Sequence, residues 1–264
     1  MKGILFSLKV FCNIEKEERI QKFLKEISFL EKVDHPAIIR VYDNGIFTNT
    51  KGSDYPFVIS EYYPSTLNDE MKAGISIIDK IIYTTNLLSG LQYLTTQEQK
   101  IIHRDIKPQN IFIKGRNAIL GDFGLMKVLE KCEPSCIEED ITDIIVSAGA
   151  GMAFYYRTPD LVDYLNKKEM VTQASDIFQL GLVVAQMFTG SNPCKKCEKI
   201  TDPIELLPIS NINSKKYGAL IASNIKLMLE TDYSKRISHE KILDKWNGAL
   251  ETISKEIIEI NGKI

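Results

Sequence analysis

The sequence predicts an α+β fold in which strands dominate the start of the chain and helices dominate the rest. Three of the four elements expected within residues 1–62 are short apolar runs bounded by turn residues, which are typical of strands. Beyond them, the stretch from Ser76 to Leu94 has apolar residues at helical spacing and is the longest predicted helix. A third observation is a pair of apolar runs, Ile111–Ile113 and Ala118–Leu120, which a turn with a glycine separates. This pattern predicts a β-hairpin.

Length and composition limit the class of protein. A chain of 264 residues can form one large domain or two lobes, and 44% hydrophobic with 26% charged residues is ordinary for a globular protein. A net charge of -2 argues against general affinity for nucleic acid, and no apolar run reaches the roughly 20 residues that a membrane helix needs. The apolar start is too short before Lys9 for a secretory signal. Five cysteines, an odd number, favour reduced thiols in the cytoplasm over a disulfide framework.

The segment 101–125 carries the densest set of chemically active side chains. An apolar run ends in a charged loop that contains Asp105 and Asn110. The predicted hairpin then returns the chain to its starting point, so we expect Asp122 to lie beside both residues. Two carboxylates and an amide without a histidine partner suit a hard cation such as Mg²⁺, with phosphate supplying the remaining ligands.

The run His103-Arg104-Asp105-Ile106-Lys107-Pro108-Gln109-Asn110, followed by Asp122-Phe123-Gly124 after a hairpin, resembles the catalytic loop and metal-binding motif of protein kinases. The lysine in this loop resembles that of the serine/threonine branch. The resemblance implies roles for four residues: Asp105 accepts the substrate hydroxyl proton, Lys107 steadies the transferring phosphoryl group, and Asn110 and Asp122 hold magnesium.

The resemblance extends from Lys9 to Arg236 and implies a two-lobed kinase fold. A reduced β-rich lobe would occupy residues 1–62, and a mainly helical lobe would occupy residues 63–264. It also implies ATP and Mg²⁺ as the cofactors of the reaction.

The first predicted strand, residues 4–11, is apolar but is interrupted by Lys9. A lysine in a buried strand needs a partner, because an unpaired buried ammonium is costly. By the resemblance, Lys9 contacts the α- and β-phosphates of ATP and pairs with Glu26. That glutamate lies in the stretch 23–30, which has helical periodicity. The plainer alternative makes Glu26 one more charge on a helix rich in Lys and Glu.

The main departure from the family pattern precedes Lys9. Kinases place two strands and a glycine-rich loop there, and the loop covers the ATP phosphates. Only eight residues precede Lys9, and Gly3 is their single glycine. Two explanations stay open: upstream sequence is missing from this chain, which we favour, or the nucleotide site lacks its roof. Either one predicts an uncovered strand edge.

Two strands joined by a polar loop are predicted between Tyr42 and Tyr63. By the resemblance, the backbone from Glu61 to Tyr63 forms the interlobe hinge and binds adenine. Ser60 gates the pocket behind adenine, and its small size predicts tolerance of bulky adenine analogues. Phe112 on the hairpin is expected to form the floor beneath adenine, although any buried strand could carry a phenylalanine for packing alone.

By the resemblance, residues 122–160 form the activation segment. Asp160 at its end is expected to pair with Arg236, and a buried pair is costly to break on one side only. Arg104 implies control by phosphorylation of this segment, because a phosphate would give its guanidinium a bidentate partner. The candidate phosphorylation sites are Ser135, Thr142 and Ser147. Ala153 stands where serine/threonine kinases usually have a threonine that touches the catalytic aspartate.

The stretch from Ala174 to Gly190 predicts a second long apolar helix. By the resemblance, Asp176 at its start hydrogen-bonds the backbone around His103, whereas the plainer alternative is an N-terminal cap. Further helices are predicted at 217–229 and 240–260.

Four of the five cysteines form two pairs with zinc-like spacing, Cys132 with Cys136 and Cys194 with Cys197. A zinc ion on these four thiolates would tie the activation segment to the loop after the second long helix. The plainer interpretation is unrelated loop thiols.

The resemblance implies transfer of the γ-phosphoryl group of ATP to a serine or threonine of a protein, with Leu125 favouring serine. A pseudokinase or binding module is one alternative, suggested by the absent glycine-rich loop and by Ala153. A small-molecule kinase on the related fold is the other, although such enzymes lack the Asp160 and Arg236 pairing. The protein substrate and the oligomeric state stay open.

Overall fold

The computed structural model describes residues 4–12, 14–98, 100–128, 155–166, 171–209, 212 and 216–261. Within these residues strands lead and helices follow, as the sequence predicts. The elements in chain order are β1 (Phe6–Val10), α1 (Glu17–Leu30), β2 (Val41–Thr48), β3 (Asp54–Glu61), β4 (Ser65–Thr66), α2 (Leu67–Ala73), α3 (Ile77–Thr96), β5 (Ile101–Ile102), a 3₁₀ turn (Pro108–Asn110), β6 (Ile111–Lys114), β7 (Asn117–Leu120), β8 (Lys127–Val128), α4 (Pro159–Leu165), α5 (Ala174–Thr189), α6 (Gly218–Met228) and α7 (His239–Asn261).

The first sheet holds β1, β3 and β2 in that order, and both pairings are antiparallel. Lys9 of β1 lies opposite Val58 of β3. Helix α1 covers one face of this sheet, because Phe23 and Ile27 pack on Val58 in a small apolar cluster. The helical periodicity of residues 23–30 therefore marks the face that meets the sheet.

The prediction that the first strand is buried is wrong. Phe6 is 51% exposed and Leu8 is 62% exposed. Side chains alternate between the faces of a strand, so these two residues point away from the face that carries Lys9 and α1. Among the described residues β1 pairs only with β3, which makes it an edge strand. Lys9 itself keeps 48% of its side chain exposed.

Helices α3, α5, α6 and α7 form the main apolar core. Helix α3 begins after Ser76, whose hydroxyl oxygen accepts the backbone N–H of Asp79 at 3.1 Å. Its leucines and those of α5 lie in one continuous cluster. Helix α7 adds Trp246, which is fully buried and stacks on Phe188 of α5 with ring centroids 5.9 Å apart. This packing makes α5 the rigid centre of the helical part.

The predicted hairpin is β6 and β7, paired with Ile111 opposite Leu120. Its last strand also bonds to the segment after α1. The backbone N–H of Ile39 donates to the carbonyl of Leu120 at 2.8 Å, and the N–H of Leu120 donates to the carbonyl of Ala37 at 2.8 Å. These bonds hold the end of the hairpin next to α1.

Two short helices, α2 and α4, were not predicted. Both have a start signal in the sequence: Thr66 and Asp69 form a reciprocal capping box for α2, and Thr158 caps α4 ahead of Pro159 at its first position. Among the described helices, none combines the length and apolar character that a membrane crossing requires.

Candidate active site

The charged loop after β5 is held by Asp176 at the start of α5. The two carboxylate oxygens accept the backbone N–H groups of His103 at 2.8 Å and Arg104 at 2.9 Å. Asp176 is 2% exposed, and its burial raises the pKa of the carboxyl even though the two N–H groups and His103 favour the charged form. The bracing contact expected for Asp176 is therefore present, and it fixes the backbone just before Asp105.

Asp105 lies at the centre of a compact polar group. The Lys107 ammonium contacts both carboxylate oxygens, at 2.8 Å and 2.9 Å. The side-chain amide of Asn110 donates to the Asp105 carboxylate at 2.7 Å and to its backbone carbonyl at 2.9 Å. The structure thus brings together three of the predicted site residues within hydrogen-bonding distance of one another.

Asp122 lies where β7 ends, and the hairpin brings it back to this group. The N–H of Gly121 donates to the carbonyl of Asn110 at 2.9 Å. Phe123 is fully buried against the His103 ring, with centroids 4.4 Å apart. This packing anchors the turn, and the Asp122 carboxylate stays about half exposed.

Lys9 joins this group from the sheet. Its ammonium lies 3.1 Å from Asp122 and 3.4 Å from Glu26, a buried residue of α1. Partial burial opposes the charge on Lys9, but the two carboxylates outweigh it and raise the pKa of the ammonium. Burial likewise opposes the charge on Asp122, yet Lys9 outweighs it and lowers the pKa of that carboxyl. Burial dominates at Glu26 and raises its pKa despite Lys9.

The residues expected around adenine lie at the end of β3 and on the hairpin. Ser60 is buried in β3. The Glu61 carboxylate accepts the Tyr63 hydroxyl at 3.1 Å and pairs with Lys114. Tyr63 stacks on Phe112 with centroids 5.4 Å apart and planes within 11°. The roles of these residues in binding adenine stay predictions.

Phe112 also reveals a packing constraint that the sequence did not suggest. A Cβ atom placed on Gly121 would lie 2.2 Å from Cε2 of the Phe112 ring. The ring therefore occupies the space that any side chain at position 121 would need. Only a glycine fits before Asp122 while the ring stays in this position.

Asp160 and Arg236 form the expected pair. The Arg236 guanidinium lies 3.5 Å from the Asp160 carboxylate, and both side chains are fully buried. Arg236 also donates to the backbone carbonyls of Ala174 at 2.7 Å and Glu230 at 2.8 Å. The pair connects α4 to the start of α5 and to the turn before α7.

Several predicted features lie outside the described residues. They are the candidate phosphorylation sites Ser135, Thr142 and Ser147, the departure at Ala153, and the thiols Cys132 and Cys136.

Cys194 is buried, which raises the pKa of its thiol, and Cys197 is partly exposed; both are free. Within the described ranges, no cluster of three or more His, Cys, Asp or Glu side chains could hold a metal. The zinc hypothesis stays untested.

Sequence reasoning missed Gln179 in the middle of α5. Its side chain accepts the N–H of Ile106 at 3.0 Å and donates to the carbonyls of Arg104 at 2.9 Å and Tyr156 at 3.0 Å. The available signal was a polar amide among apolar residues in a predicted buried helix, because a buried amide requires partners.

Comparison with known families agrees with this geometry. The family described as "Protein kinase domain" matches residues 2–246. The chain belongs to the protein kinase family. Its α+β fold is that of a kinase, as predicted, whereas the division into residues 1–62 and 63–264 stays a prediction.

Relatives of this kinase include a probable serine/threonine-protein kinase of Dictyostelium discoideum, 26% identical over 92% of this chain and 14% of the relative. The probable serine/threonine-protein kinase nek2 of the same organism is 28% identical over 91% of this chain and 56% of its own length. The probable serine/threonine-protein kinase WNK6 of rice is 26% identical over 78% and 45%. The chain thus spans 14–56% of the length of these relatives.

Proposed function

We propose that this kinase transfers the γ-phosphoryl group of ATP to serine or threonine hydroxyls of a protein. The observation that carries the proposal is that two sets of charged and polar side chains lie close together. Lys9 bonds Glu26 and Asp122 on one side, and Asp105 bonds Lys107 and Asn110 on the other. Phosphoryl transfer depends mainly on positioning and on neutralising charge, and this arrangement supplies both kinds of group.

The donor set fits a magnesium ion. Asp122 presents a half-exposed carboxylate. Asn110 uses its amide N–H groups on Asp105, which leaves its amide oxygen to serve as a ligand. Carboxylate and amide oxygens suit Mg²⁺, which usually takes further ligands from water and from substrate phosphates. A bound magnesium ion would neutralise phosphate charge during transfer.

Asp105 and the residues around it have separate roles in the proposed phosphoryl transfer. Asp105 orients the acceptor hydroxyl and takes its proton, as a positioned general base does. Lys107, now against that carboxylate, is the cation available to the transferring phosphoryl group. Lys9 serves the α- and β-phosphates, and Glu26 holds it in place for that contact.

Serine or threonine as the acceptor is supported by the loop lysine Lys107 and by the names of the relatives, which are serine/threonine-protein kinases. Ser60, Glu61, Tyr63 and Phe112 would surround adenine. The stacked pair of Tyr63 and Phe112 offers an aromatic surface that suits a flat base.

The test is incorporation of label from γ-labelled ATP into the chain itself and into a mixed serine/threonine peptide library. We expect wild type to incorporate label and Asp105→Asn to lower the rate by on the order of 10²–10⁴. Asp122→Ala should lower it by about 10² or more, because charge neutralisation is lost.

The control is Asp54→Ala, which removes an exposed carboxylate at the distant turn between β2 and β3. Its rate should equal that of wild type. Equal incorporation by wild type, Asp105→Asn and Asp122→Ala would refute the assignment, and no incorporation by any of them would favour a binding module.

A further inference from the structure

Gln179 lies in the interior of α5, one turn after Asp176, and is 3% exposed. The residues on either side of it, Phe178 and Leu180, are apolar, and the three hydrogen-bond partners of its amide all lie outside α5. Leaving a buried amide unpaired is costly, and its three hydrogen bonds therefore mark a specific arrangement.

Two of those bonds enclose Asp105. The two peptide units on either side of the Asp105 Cα atom contain four polar atoms, and every one has a side-chain partner. His103 accepts the Asp105 N–H at 3.3 Å, and Asn110 donates to the Asp105 carbonyl at 2.9 Å. Gln179 takes the other two, the carbonyl of Arg104 and the N–H of Ile106.

Asp176 does not duplicate this function. It holds the N–H groups of His103 and Arg104, which belong to the peptide units before those of Asp105. Gln179 is therefore the residue of α5 that hydrogen-bonds both peptide units of Asp105 directly. Because α5 is the rigid centre of the helical part, these hydrogen bonds fix the position of Asp105 relative to the core.

The third bond leads to a different segment. Gln179 donates to the carbonyl of Tyr156, a residue three positions before Pro159 at the start of α4. The same segment is fixed again nearby: the Tyr156 hydroxyl donates to Gln186, and Asn192 donates to the carbonyl of Tyr155 at 3.0 Å. One amide thus joins the Asp105 loop to the segment that leads into α4.

We propose that Gln179 is a positioning residue for phosphoryl transfer, which holds Asp105 at a fixed place relative to the core and to the segment at Tyr156. The inference rests on the proposed function. A general base must be held within a fraction of an ångström, and a displacement of about 1 Å can cost on the order of 10² in rate.

The first test compares Gln179→Leu with wild type in steady-state phosphorylation. Leucine has a similar volume but makes none of the three bonds. We expect kcat to fall by about 10–100-fold, with the KM for ATP changed less than about twofold, since Lys9, Asn110 and Asp122 do not contact Gln179. An unchanged kcat, or a loss confined to KM for ATP, would overturn the proposal.

Gln179→Glu tests the pH dependence of kcat, which would not change if Gln179 had a purely structural role. One carboxylate oxygen can still accept the N–H of Ile106, but the other then faces two carbonyl oxygens. It repels them when ionised and donates to one of them when protonated. Burial and these carbonyls raise the pKa of such a carboxyl. The ratio of variant to wild-type kcat should therefore rise as the pH falls, and a ratio independent of pH would contradict the proposal.

Other ionisable side chains near this position are Asp176 on the same helix, His103, Arg104 and Asp105 on the loop, and Tyr156 on the facing segment. All are present in both proteins, so the ratio isolates position 179. Gln186→Glu is the matched control, because the same change two turns along α5 keeps an acceptor for the Tyr156 hydroxyl. The ratio of its kcat to that of wild type should not change with pH.

Hydrogen exchange separates failure of this inference from failure of the proposed function. The Ile106 amide should exchange markedly faster in Gln179→Leu than in wild type, while the amides of His103 and Arg104, held by Asp176, keep their protection. This result is expected whether or not the wild type transfers phosphate. Equal protection of Ile106 in both proteins would refute the positioning role by itself.

Discussion

Arg104 and Asp122 adopt a left-handed backbone, with φ of 65° and 54°, and both lie at the candidate active site. They are the non-glycine residues with positive φ in the described part of the chain. Such a conformation costs about 1–3 kcal/mol and persists only where surrounding contacts enforce it. The Arg104 N–H bonds Asp176 and its Nε donates to the carbonyl of Leu125 at 2.7 Å. These two contacts hold the strained backbone of Arg104 in place immediately before Asp105.

The pair of Gly121 and Phe112 supports a stability prediction. Gly121→Ala places a methyl group on the Phe112 ring and should destabilise the fold by about 1–3 kcal/mol, the usual cost of overpacking. Phe112→Leu in the same chain should recover part of that loss, because leucine lacks the ring atoms that clash. Urea unfolding of the three proteins measures both effects.

Gly248→Ala is the control for this prediction, since a Cβ atom at that position of α7 meets nothing within 4 Å. It should leave stability unchanged or raise it by up to about 1 kcal/mol. If Gly121→Ala were as stable as wild type, the position of the Phe112 ring would be wrong.

At this scale the sequence predicted residues that belong to a chemical motif and missed residues that act only through their neighbours in the fold. Lys9 and Glu26 could be paired because the family pattern fixes their register. Gly121 and Gln179 could not be assigned, because their importance depends on which atoms lie across from them. A glycine before Asp122 and an amide within a helix have many possible causes until the neighbours are known.

The long elements were predicted well because periodicity is strong over many residues. Helix α3 begins directly after Ser76, the first residue of the predicted stretch, and α5 ends at Gly190, which adopts the left-handed conformation of a helix C-cap. The short helices α2 and α4 have seven residues each, too few for a periodic signal. The uncovered edge of β1 was predicted, but the exposure of Phe6 and Leu8 was missed, because an apolar strand has the same sequence pattern whether or not another element covers that face of the sheet.

The connection between α4 and α5 supports a prediction at the scale of elements. Asp160→Asn should destabilise the fold by about 3 kcal/mol, because it leaves the buried Arg236 guanidinium without its counter-ion. The bonds of Arg236 to Ala174 and Glu230 remain, which keeps the effect near the lower end of the usual range. Chemical denaturation measures the difference.

The double variant Asp160→Asn/Arg236→Met tests the cause. It should be more stable than Asp160→Asn alone, since the methionine removes the uncompensated charge. A loss below about 1 kcal/mol for Asp160→Asn would show that the pair contributes little to holding these helices together.

For the whole molecule, the candidate active site is the place where distant parts of the chain meet. Lys9 and Asp122, separated by 113 positions, form one ion pair. The hydrogen bonds of Leu120 with Ala37 and Ile39 connect the end of the hairpin to the segment between α1 and β2 at this point. The sequence predicted that the hairpin returns Asp122 to the Asp105 loop, whereas the ion pair of Asp122 with Lys9 was not predicted.

We infer that Lys9, Asn110 and Asp122 form a single site for ATP with magnesium. Equilibrium binding of ATP, measured with Mg²⁺ and again with EDTA, tests it directly and does not depend on an acceptor. We predict that Mg²⁺ raises the affinity of wild type by about tenfold or more, that Asp54→Ala keeps this gain, and that Asp122→Ala loses it. Equal dependence on Mg²⁺ in wild type and Asp122→Ala, or no binding of ATP under either condition, would contradict the account.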